Sequence, residues 1–94
     1  MNEIQQERQP GAAFSTRRNV PVVENIGGKQ IEVTFLGTNA QGRLTWIMWN
    51  PTQPFLIGIL TQGQLGFTFE QRTGSGVMLH ENVPLSRVQR AIAG

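Results

Sequence analysis

Side chains able to do covalent or redox chemistry are scarce in this chain of 94 residues: it holds one histidine, His80, and no cysteine, aspartate or tyrosine. Hydrolysis by general acid and base needs at least two titratable groups converging on one reacting atom. His80 and Glu81 are sequence neighbours, and neighbouring residues of a strand point to opposite faces. The remaining carboxylates of the β-rich region, Glu24, Glu32 and Glu70, have no spacing that would bring them together. A zinc site fails on the same count, since His80 would be its only imidazole and no thiolate exists. Gly74-Ser75-Gly76 leads into a strand pattern and not into a helix start, so it makes no phosphate cradle. These residues point away from an enzyme and call for no metal or cofactor.

Non-covalent recognition has more to work with. Single-stranded nucleic acid asks for flat apolar faces on which bases stack, amides that read base edges, and some positive charge. The segment Trp49-Asn50-Pro51-Thr52-Gln53-Pro54-Phe55 supplies two rings and two amides in a stiff connection, because each proline fixes φ and lacks a donor. The same types have structural uses: Trp49 and Phe55 as core or interface rings, Asn50 as a turn residue beside proline, and His80 as a satisfied strand-end histidine. Arg87 lies close to Arg90, and Arg17 is followed by Arg18, so each pair either meets phosphates or stays solvated. With 8 basic and 6 acidic residues the net charge is only +2, too little to argue nucleic-acid binding from the whole molecule. Glu81 opposes it locally.

The elements that would position these residues read as short strands. Residues 1 to 19 form a leader rich in glutamine, in which only Ile4 and Phe14 are large and apolar; residues 2 to 9 admit a short helix that buries little. The leader is expected to be partly mobile unless docked. A single β domain follows over residues 20 to 94, with Gly27-Gly28 as its first turn signal. Ile31, Val33 and Phe35 alternate with polar residues, as in a strand with one buried face. Leu44 to Trp49 is apolar on much of both faces and so needs two covers. Phe55 to Leu60 is a third strand with Gly58 at a bulge or sharp bend, Leu65 to Glu70 a fourth, and Val77 to His80 leads the fifth. Glu81-Asn82 is a two-residue polar step, after which Val83-Pro84-Leu85-Ser86-Arg87-Val88 either restarts as strand or opens a helix. The helical alternative uses the stripe Pro84, Leu85, Val88, Ala91 and Ile92, ended by Gly94. With the strand, the chain makes an all-β, strongly bent five-stranded barrel.

The spacing Ile31-x-Val33-x-Phe35, Gly37, Gly42 and Leu44 resembles the first signature of the Sm-like family of small SH3-like barrels. Leu79-His80-Glu81-Asn82-Val83 resembles the second, with His80-Glu81 in place of an Arg-Gly pair; His80 is similar to the histidine of the bacterial host-factor branch. The family's aspartate is replaced by Met48, and Pro51-Thr52 falls where its Met-Asn pair would fall. The resemblance implies a homo-oligomeric ring of about five to seven subunits closed by strand-edge pairing, and a short N-terminal helix on the barrel. It implies a pore mouth binding single-stranded RNA where the loop from Trp49 and Asn50 to Phe55 meets His80 and Asn82; Arg87 is a candidate for the phosphates by its charge.

Two functions follow from these features. One is a ring-forming RNA-binding protein. The other is a structural or adaptor barrel, such as a phage-type assembly protein, that joins protein partners through its apolar faces; the missing base-reading residues and the low charge favour it. No run approaches the roughly 20 apolar residues of a membrane span, and the acidic, apolar-poor start is unlike a signal peptide. A cytoplasmic protein without membrane contact is expected.

Overall fold

The structure is a computed structural model that describes residues 8–94. The helix admitted over residues 2 to 9 lies almost wholly outside them. Six strands form one antiparallel sheet in sequence order: β1 (Val22–Ile26), β2 (Lys29–Thr38), β3 (Leu44–Trp49), β4 (Leu56–Gln62), β5 (Phe67–Thr73) and β6 (Gly76–Val83). The helix α1 (Leu85–Ala93) follows. The expected five-stranded closed barrel is therefore corrected on two points.

The first is the strand count. Gly27 and Gly28 both have positive φ, 61° and 85°, the backbone of a tight two-residue hairpin that only glycine takes cheaply. That turn folds Val22–Ile26 onto β2, pairing Ile26 with Lys29 and Val22 with Val33. The sixth strand lies N-terminal to the first one expected.

The second is closure. β6 continues as strand through Glu81-Asn82 to Val83, with the register shift opposite Phe67–Phe69 falling at that step and Asn82 holding a left-handed φ of 53° in it. Pro84 then ends the ladder because it has no N–H to give, and its extended backbone (φ −71°, ψ 160°) sets it as the helix N-cap. Its carbonyl accepts from Arg87 N at 3.0 Å, and Gly94 caps the far end by donating to Arg90 O at 3.2 Å. Val88 and Ile92 are buried one helical turn apart. Residues 85 to 93 thus form the helical alternative and no closing strand. β1 and β6 remain the two edges of an open sheet.

The sheet curves around one apolar core. The cross-strand row Trp46, Leu60, Phe69 and His80 runs over its concave face, beside Ile31, Val33, Phe35 and Met48. Register shifts between Phe35 and Gly37, Met48 and Trp49, and Phe67 and Phe69 bend the strands. Gly58 permits a close approach: a Cβ there would lie 2.5 Å from Glu70 O and 2.7 Å from the Phe69 ring. One part of the concave face is filled by α1, which touches β1, β5 and β6.

The other part is filled by the leader. Ala12 and Phe14 are buried, and the Phe14 ring meets Trp46 edge-on at 5.8 Å. Trp46 Nε1 donates to Ser15 O at 2.8 Å. Gln62 holds the same segment from both sides, donating to Gly11 O at 2.7 Å and accepting from Ala13 N at 3.0 Å. Arg18 bridges to Phe35, and Asn19 N donates to Phe35 O at 3.0 Å. Residues 11 to 19 are thereby docked.

Candidate interaction surfaces

In an antiparallel meander, alternate connections share one end of the sheet. The β1–β2, β3–β4 and β5–β6 turns lie at one end, and the β2–β3 and β4–β5 loops at the other. Trp49, Asn50 and Phe55 belong to the first end, on the β3–β4 connection. Asn82, in the last residues of β6, belongs to the second. The structure therefore brings the first three together and does not set Asn82 beside them.

Each of these residues has a definite local setting. Trp49 is half-buried at the end of β3, opposite Glu32 and Leu56. Asn50 organises its loop: its N–H donates to Phe55 O at 2.9 Å, and its Oδ1 accepts from Thr52 N and Thr52 Oγ1, both at 2.9 Å, and from Gln53 N at 3.2 Å. That oxygen is committed to the turn. Phe55 is 52% exposed. Asn82 is exposed beside Gly66 and lines a hollow of about 280 Å³ with Arg43, Leu65 and Glu81. Arg87 is exposed in the first turn of α1.

His80 faces inward. Its ring stacks on Phe69, with centroids 6.0 Å apart and planes 20° from parallel. Its Nε2 lies 3.0 Å from Gln71 Oε1, while Gln71 Nε2 donates to Ala91 O at 3.1 Å. A carbonyl can only accept, so the Gln71 amide nitrogen faces Ala91 and the amide oxygen faces His80. His80 Nε2 must then carry a hydrogen. The relay ties β6 through β5 to α1, which is a structural task.

Two surfaces stand out that the residue spacing did not single out. One is a groove of about 510 Å³ between the β3–β4 loop, the start of β2, the end of β5 and the C-terminus of α1. Phe55, Asn50, Thr52, Lys29, Arg72 and Gln71 contribute to it, and no acidic side chain does. Its signal was hidden because grouping Lys29 with Asn50 and Arg72 requires knowing that β1 exists and that three turns share an end.

The other is the free edge β6. Val77, Met78 and Leu79 are 56%, 53% and 53% exposed although successive strand residues face opposite sides. From Val77 to Leu79 β6 is thus bare on both faces. Its signal was present: three consecutive apolar residues in a strand need two covers, as argued above for Leu44–Trp49. At Leu44–Trp49 the inner face is covered by the core and Phe14 and the outward Ile47 and Trp49 are half-buried, whereas Val77, Met78 and Leu79 are exposed on both faces.

Among the described residues no three or more His, Cys, Asp or Glu cluster where they would hold a metal ion, and no helix is long and apolar enough to cross a membrane. Comparison with protein-family models, curated proteins and solved structures finds no match.

Proposed function

We propose that this chain is a non-enzymatic assembly module that works through its β6 edge, joining protein to protein. The observation that carries this is the apolar run Val77-Met78-Leu79 on an unpaired edge strand. Edges left free in soluble proteins are normally guarded by charge, proline, a bulge or a covering loop. Between Gly76 and His80 β6 has none of these. An apolar, unguarded edge is what strand-addition interfaces use: backbone hydrogen bonds supply affinity and the alternate side chains supply specificity. Edge-to-edge pairing is also what the Sm-like resemblance implies.

Sedimentation or native mass measured from low to high micromolar concentration tests this role. Assembly of the native chain that is lost in Leu79→Lys, with the folded spectrum unchanged, is the expected result. A native chain that stays monomeric up to high micromolar and captures no strand-forming peptide would remove it.

A second reading, binding of single-stranded RNA, is favoured by the groove, where an exposed Phe55 sits near Lys29 and Arg72 with no carboxylate side chain. Phe55 would stack a base and the two cations would meet phosphates, with His80 and Asn82 uninvolved. Titration with a labelled oligonucleotide at two salt concentrations checks it. Phosphate-borne affinity falls steeply with salt and would be lost in a Lys29→Gln, Arg72→Gln variant; salt-insensitive or absent binding excludes it.

A further inference from the structure

From the register of the β5–β6 hairpin we infer that the occupant of the free edge is the β6 strand of a second copy, paired antiparallel about a two-fold axis through Met78. This rests on the assembly role just proposed and specifies its partner and geometry.

The hairpin sets which backbone groups are free. Thr73 pairs with Gly76 across the two-residue loop Gly74-Ser75, and the residues flanking such a loop form a hydrogen-bonded pair. Pairing then alternates: Gly76, Met78 and His80 bond inward to β5, while Val77 and Leu79 turn their N–H and C=O groups outward. A row of alternating donors and acceptors at this spacing is complemented by another strand.

The side chains select a copy of β6. β6 is straight from Gly76 to His80, and the register shift opposite Phe67–Phe69 bends it beyond that point. The centre of the straight part is Met78. Antiparallel pairing about this centre sets Val77 against Leu79 of the second copy twice, on one face, and Met78 against Met78 on the other. All three exposed apolar side chains are then covered by each other. Charge fits as well, since Glu81 falls opposite Ser75 and meets no second carboxylate. Centring on Leu79 instead would put Val77 against Glu81 and Met78 against His80. Pairing β6 to a neighbour's β1 would give an open chain or a ring, but the β1 edge is short, is preceded by Pro21, and carries Asn25 beside Val23. An isologous pair also closes at two copies.

The chain has no cysteine, so single introduced thiols report this register directly. In the predicted pair the two Met78 positions are a non-hydrogen-bonded pair with Cα atoms about 4.5 Å apart, within the span a disulfide bridges. Mild oxidation of Met78→Cys should give a linked dimer at least about tenfold faster than Ala40→Cys, an exposed-loop control whose thiols meet only by diffusion. Val77→Cys and Leu79→Cys should each link slowly alone. The native mass of the unsubstituted chain, measured alongside, should be that of a dimer. Fast linking of Leu79→Cys in place of Met78→Cys, or a mass of five or more copies, overturns the two-fold register while leaving edge assembly standing. A monomer with no fast-linking position overturns both.

Discussion

Single residues in this protein are mostly committed to holding the curved sheet. Gln71 shows this best, since one amide satisfies both the Ala91 carbonyl and His80 Nε2. Gln71→Ala strands that carbonyl and frees the histidine, and an unsatisfied buried acceptor costs about 1–3 kcal/mol. Because the site is only partly buried, the expected loss in denaturant unfolding is at the low end, about 1 kcal/mol. His80→Ala should lose a similar amount through the bond and the Phe69 stack. An RNA-contacting His80 would leave stability unchanged instead, so the same measurement separates the two roles. At Gly58 the constraint is steric. A methyl group would press on Glu70 O and the Phe69 ring, and overpacking of this kind costs about 1–3 kcal/mol; urea titration of Gly58→Ala should show a lowered midpoint with the slope preserved. The sequence marks Gly58 as a bulge or sharp bend, and the register shift between Met48 and Trp49 lies beside it. The partner that makes glycine necessary, Phe69 on the next strand, could not be read from local spacing. Asn50 was legible both as a base reader and as a turn residue, and its three accepted bonds show it serving the turn.

At the scale of elements, periodicity located most strands, because one face of each is buried and the alternation survives in the sequence. Ile31, Val33 and Phe35 are all core residues, as are Trp46 and Met48. Two elements were harder for opposite reasons. β1 has a mixed pattern, with only Ile26 fully buried, so its strand character comes from the Gly27-Gly28 turn and from β2 as template. The stretch after Asn82 satisfied two periods at once; the fixed backbone of Pro84 and the burial of both Val88 and Ile92 settle it as helix. The leader is the third case. A lone Phe14 among polar residues gives no periodic signal, yet it fills the core against Trp46. Burying an aromatic and then deleting it leaves a cavity, at about 3–5 kcal/mol for Phe→Ala. Phe14→Ala should therefore unfold the domain at markedly lower denaturant, and it should speed amide exchange at Trp46 and Gln62 more than in α1. A leader that merely lay on the surface would give less than about 0.5 kcal/mol.

For the whole molecule, closure decides what kind of protein this is. Local patterning gives strands and bends, but whether a curved sheet meets itself depends on the last element, and here that element is a helix lying across the concave face. The outcome is a small domain with two strand edges and no disulfide. Chains of this size bury only about 60–65% of their unfolded surface and are correspondingly marginal alone. Pairing at β6 would extend the sheet and cover Val77, Met78 and Leu79 in one step. Since association that involves only the folded state adds to stability by mass action, the thermal midpoint should rise with protein concentration. Each hundredfold increase above the dissociation constant should add about 2.7 kcal/mol per association event, visible by calorimetry as a shift of several degrees. Leu79→Lys places charge in the middle of the edge, a guard that natural edge strands use. It should abolish the concentration dependence while lowering the dilute-limit midpoint very little, because Leu79 is already more than half exposed in the single chain. A midpoint independent of concentration in the unsubstituted protein would instead mean that the β6 edge stays solvated, and that its apolar run awaits a different chain.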